Sequence, residues 1–116
     1  MDEHIDTIEA GYEYLLAYAA QGKDTDTHDG GAKSEVRQTL EGMASAAQSI
    51  REAMASSEVP FHKVVVDDAV KTEAAIALVL AQAGISSEMV DNLNASIHVR
   101  ALLTDLFLVS EAAGPN

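Results

Sequence analysis

The sequence predicts an all-α protein: an antiparallel four-helix bundle that pairs with a second copy of itself. Three observations carry this. Apolar residues recur at helical spacing in four stretches, Gly, Pro and Ser punctuate those stretches, and the last two hold more apolar surface than one small bundle hides. At 116 residues the chain has the size of one domain, 1–116.

The first helix is predicted over 2–21. Ile5, Ile8, Tyr12, Leu15, Leu16 and Ala19 form one stripe, and Asp2, Glu3, Asp6, Glu9 and Glu13 fall opposite it. Acids in its first turns complement the positive end of the helix dipole. Gly22 stands where a C-terminal cap belongs. Residues 22–33 contain one alanine and otherwise no apolar side chain, which makes them a solvated loop.

The second helix, predicted over 35–57, starts behind Ser34 as N-cap. Val36, Leu40, Met43, Ala47, Ile50 and Met54 recur at alternating spacings of 4 and 3, a heptad-like seam. Pro60 then breaks the chain and opens the third helix, predicted over 61–83. Its run Val64-Val65-Val66 is β-branched, but a lone strand in a helical chain would leave its backbone groups unpaired. This helix is apolar nearly all round, which places it centrally or in an interface. Gly84 stops it.

Ser86 or Ser87 caps the fourth helix, predicted over 87–112 before Gly114-Pro115. Its stripe changes midway. Val90, Leu93, Ile97, Ala101 and Leu108 share one face, whereas Val99, Leu102, Leu103, Leu106 and Val109 share another. Two accounts fit: a kink near Asn92–Ser96, or a second half covered on two sides. The second implies a partner chain, since leaving a Leu in water forfeits roughly 1.5–3 kcal/mol. Leu103, Leu106 and Phe107 are therefore expected to face a second copy.

Charge bounds the function. Nineteen acids stand against seven bases, a formal charge of −12, and residues 1–29 hold eight of the acids against Lys23 alone. Such a field repels phosphate, excluding direct nucleic-acid binding, and steers association with a basic protein. The same composition suits a halotolerant protein of any function. No apolar run is long enough to span a membrane, the N-terminus is acidic rather than basic, and there is no cysteine. A cytoplasmic setting is expected, without disulfides or thiolate metal sites.

Candidate chemistry is sparse. The loop 24–35 resembles an EF-hand calcium loop: oxygen ligands from Asp24, Asp26 and Glu35 fall at positions 1, 3 and 12. That resemblance implies a calcium site, but His28 stands at position 5 and Asp29 where the turn wants glycine. A flexible acidic connector is the plainer reading. The four histidines (His4, His28, His62, His98) include no Glu-x-x-His pair for a di-iron centre. His98 lacks the following lysine and glycine of a phosphotransfer bundle, and a satisfied buried or interfacial role suits it better. Tyr14 and Tyr18 project together from the flank of the first helix, as core edge or partner contact. No nucleophile–base pair, phosphate-cradling loop or zinc motif appears, which weighs against an enzyme.

The resulting expectation is an acidic protein-interaction module, an adaptor or regulator, that dimerises through its C-terminal helices. Tyr14, Tyr18, Leu103, Leu106 and Phe107 are its candidate contacts, and no cofactor is expected. The alternative is a cation- or small-ligand-binding protein, using calcium at Asp24, Asp26 and Glu35 or a pocket near Tyr14 and Tyr18.

Overall fold

The computed structural model describes residues 1–27 and 33–113. His28, Asp29, Gly30 and Gly31 of the acidic loop, and Gly114-Pro115, lie outside the described residues. Five helices account for the regular structure among them: α1 (Asp2–Ala19), α2 (Glu35–Met54), α3 (Pro60–Leu80), α4 (Ser87–Ala95) and α5 (His98–Ala113). No described residue is in a strand.

Helices pack in a closed sequence, α1 on α2, α2 on α3, α3 on α5, with α4 and α5 both returning to α1. The result is elongated, 48 × 23 × 23 Å. The predicted seam of α2 is buried throughout, from Val36 to Met54. Gly11 packs against Met43 where α1 meets α2: a Cβ there would collide with the Met43 side chain, which would have to shift.

Helix ends differ from the sequence-based bounds by two or three residues, each for a visible reason. α1 stops at Ala19 because the Tyr18 carbonyl accepts from the Gln21 N–H and the Ser87 hydroxyl instead of continuing the ladder. Gly22 follows at φ +66°. α2 stops at Met54, and the Ser57 hydroxyl accepts from the Val59 N–H and meets His62 Nδ1 at 2.7 Å. α3 stops at Leu80, where the Arg37 guanidinium takes the terminal carbonyls.

The predicted fourth helix is broken. Ser96 N–H donates back to the Asn92 and Leu93 carbonyls, its hydroxyl donates to Leu93, and Ile97 adopts φ +66° before α5 begins. This left-handed conformation is unfavourable for a β-branched residue. The break rephases the chain: α4 buries Val90 and Leu93, while α5 turns Val99, Leu102, Leu103 and Leu106 inward. One straight helix cannot bury both sets, and two short ones do. This corrects the expectation that Leu103 and Leu106 need a second copy to cover them.

Candidate functional site

Two groups of charged and polar side chains organise the molecule. The first is a clasp at the end where α1 exits, α2 begins and α3 finishes. Ser34 caps α2, its hydroxyl accepting from the Arg37 N–H at 3.3 Å and donating to Asp26 Oδ2 at 2.5 Å. Arg37 Nε donates to the same oxygen at 2.8 Å, and the Ile85 N–H donates to Oδ1 at 2.8 Å. The two outer guanidinium nitrogens reach the carbonyls of Leu80 and Gln82, at 3.0 and 2.7 Å. The carboxylate thus ties its own loop to the start of α2 and to Ile85, and Arg37 adds the end of α3. Burial works against the charge of Asp26. The donors Ser34 and Ile85 and the Arg37 guanidinium outweigh that cost and hold its carboxyl below the ordinary value.

A second set of bonds extends the clasp. The Tyr18 hydroxyl donates to the Ile85 carbonyl at 2.7 Å, and Lys23 and Ser87 exchange backbone and side-chain bonds. Tyr14 stacks on Tyr18 with ring centroids 6.1 Å apart, and Lys23 Nζ lies 5.2 Å above the Tyr18 ring.

The other group lies along α3 and α5. Asp68 of α3 and Asp105 of α5 meet carboxyl to carboxyl. Burial, the hydrogen bond to Asp68 and its negative charge push Asp105 up to about 7, so the pair shares one proton in mildly acidic solution and begins to lose it near neutral pH. Asp105 Oδ2 is buried and accepts no hydrogen bond. Farther along the same pair of helices the Thr72 hydroxyl donates to the His98 carbonyl at 3.0 Å. Clefts of about 350 Å³, bordered by Ala75, Leu78 and Met89, and about 480 Å³, bordered by Phe61, His62 and Leu108, open toward either end of α3.

The sequence-predicted site residues separate accordingly. Asp24 and Glu35 are exposed, whereas Asp26 has both oxygens committed to the clasp. A twelve-residue loop folding around calcium needs Asp26 turned to the ion; here it faces Ser34, Arg37 and Ile85. Among the described residues no group of three or more His, Asp or Glu is placed to hold a metal. Tyr18 is buried in the core rather than projecting from a flank, and Tyr14 is half-buried. Leu103 and Leu106 are buried by their own chain; Phe107 remains exposed. The roles of Arg37, Asp68 and Asp105 have no local signature, because their side-chain partners lie 11, 37 or more residues away.

The chemistry available is limited. Ser57 and His62 form a hydroxyl–imidazole pair, but the hydroxyl is engaged at the turn into α3, and no carboxylate is hydrogen-bonded to the ring among the described residues. No helix of the described residues is long and apolar enough to cross a membrane. The chain matches no protein family, no curated protein and no solved structure.

Proposed function

We propose that the chain is a small acidic interaction module that pairs with itself through its later helices and binds a protein partner of opposite charge. Its fold reads as an antiparallel four-helix bundle in which α4 and α5 together take the fourth place. The observation that carries the proposal is the outward face of α3, where Val64, Val70 and Leu78 are 41%, 50% and 68% exposed. Phe107 and Leu108 of α5 are also exposed, and Leu108 borders the cleft beside Phe61 of α3. Large apolar side chains grouped on one helix face mark contact surfaces in soluble proteins. Phe107 and Tyr14 stay in the candidate interface, whereas Tyr18, Leu103 and Leu106 serve the core. A basic partner suits α1, whose acids Asp2, Glu3, Asp6, Glu9 and Glu13 are balanced by no lysine or arginine of that helix. A cytoplasmic setting is in keeping with a chain without cysteine.

Sedimentation velocity over a concentration series tests the first half. A species of twice the 12.2 kDa chain mass is expected, and a compact monomer throughout contradicts it. Affinity capture with the wild type and with a variant carrying Asp2→Asn, Asp6→Asn and Glu13→Gln tests the second. A basic protein retained only by the wild type supports the charge role, and equal retention contradicts it. The acidic loop is assigned no cation. Calorimetric titration with calcium is expected to give no saturable heat, and a saturable heat lost in Asp24→Ala and Glu35→Ala would reverse that assignment.

A further inference from the structure

Helix α3 carries two heptad lines. One, Val65, Ala69, Thr72, Ile76 and Val79, is buried in the chain's own core. The other, Phe61, Val64, Asp68, Lys71, Ala75 and Leu78, runs beside it at alternating spacings of 3 and 4. Along this second line Phe61, Asp68 and Ala75 are half-buried, and Val64, Lys71 and Leu78 are exposed. Its half-buried members border α4 and α5, with Asp68 meeting Asp105 and Phe61 lying beside Leu108, and its exposed members leave the other side of the line open in the manner of half a coiled-coil seam.

Its two charged residues have no partner of opposite sign among the described residues. Asp68 faces the carboxyl of Asp105, and the ion pairs of the described residues include neither Asp68 nor Lys71. We propose that a second copy of the chain occupies this seam, α3 against α3 in antiparallel sense, with the two-fold axis between Ala69 and Val70. The inference rests on the self-pairing reading above and gives it a register.

In that register every layer finds its complement. Phe61 meets Leu78 of the second copy, Val64 meets Ala75, and Asp68 meets Lys71, each layer occurring twice by symmetry. The protruding Leu78 of each copy points toward the other's cleft beside Phe61 and Leu108. Charge selects this arrangement over its neighbours. Sliding by one heptad sets Asp68 against Leu78 and Lys71 against Ala75 in one direction, or Lys71 against Phe61 and Asp68 against Val64 in the other. Both bury a charge against an apolar side chain. Parallel pairing in register sets Asp68 on Asp68 and Lys71 on Lys71. Electrostatics of the whole chain also favour this face. Asp68 and Lys71, the only charged residues of the seam, cancel, so in a chain of −12 two copies meet there with little net repulsion.

The test is sedimentation equilibrium on the wild type and three variants, each checked for helical content by circular dichroism. Lys71→Asp places two carboxylates in each central layer and is expected to weaken the dimer about tenfold or more. Lys63→Asp makes the same change of net charge off the seam and is expected to leave the dimer nearly unchanged. The double variant Asp68→Lys/Lys71→Asp exchanges the two charges and is expected to recover the wild-type association. Its new lysine also stands beside Asp105 within the same chain. A dimer that Lys71→Asp weakens no more than Lys63→Asp, or that the exchange fails to recover, overturns the register while leaving self-pairing intact. A wild type that stays monomeric at every concentration overturns both.

Discussion

The Asp26 clasp and the Asp68–Asp105 seam use the same side-chain chemistry to opposite effect. Asp26 is buried, yet each oxygen has a donor and a guanidinium stands beside it, so its ionised form is the stable one. Asp105 is less deeply placed but faces another carboxyl and no cation, so near neutral pH it still holds its proton about half the time. Burial alone therefore decides neither state; what decides is the sign and number of the partners. The clasp is complete within one chain. The carboxyl pair has no cation paired with it among the described residues, and in the proposed dimer Lys71 of the second copy would supply one.

The contrast is broken most severely at Asp26. Asp26→Ala strips a partner from Arg37, Ser34 and the Ile85 N–H at once and leaves a guanidinium largely withdrawn from water. The expected loss is about 3–5 kcal/mol, read as a lowered midpoint in urea unfolding. A loss under about 1 kcal/mol, the range of an exposed ion pair, would mean the clasp is incidental.

Next in size is the pH dependence. The pKa of Asp105 is raised in the folded chain above its unfolded value near 4, so its contribution is fully present below about pH 4 and is lost as pH rises through about 7. Asp26 has the opposite sign: its contribution is present above about pH 4 and is lost as pH falls through its lowered folded pKa. Stability of the single chain is thus expected to peak near pH 4–5 and decline toward neutrality. Asp105→Asn keeps a hydrogen-bonding group without the shared proton. It should flatten the decline and gain about 1 kcal/mol near pH 8, a modest figure because solvent screens part of the repulsion. Thermal unfolding across pH, with and without the substitution, measures both.

The smallest expected effect lies at the joint that delivers α5 to the seam. Ile97 holds a left-handed backbone conformation while 56% exposed, so it loses backbone energy and returns little by burial. Ile97→Gly is expected to stabilise by about 1 kcal/mol, visible as a small rise in melting temperature, with α5 unmoved. Destabilisation would show that the side chain contributes packing despite its exposure.

Legibility follows the range of the interactions. α2 was readable throughout because its buried face is a local period, and Ser34 was readable as a cap because its target is three residues away. α1 was read with a phase error. The inward line passes through Gly11 and Tyr18, and a glycine carries no hydrophobic signal; Leu16, counted on the stripe, is 48% exposed. Nothing local tells that the Tyr18 hydroxyl finds a carbonyl 67 residues on. The two-faced stripe of the fourth helix allows a kink near Asn92–Ser96 as one of its two accounts, and the break at Ser96–Ile97 fulfils that one, with an isoleucine where glycine is usual. The clasp has no local signal: Asp26 sits in an acidic run that reads as a solvated connector, with a metal loop as the lesser alternative, and its actual donors lie 8, 11 and 59 residues away.

The contrast between the two carboxylates is tested most directly by a carboxyl-carbon NMR titration of dilute protein with Asp26 and Asp105 assigned. The two should titrate on opposite sides of the ordinary aspartate value, Asp26 below it and Asp105 near 7. Finding both together close to about 4 would contradict the account.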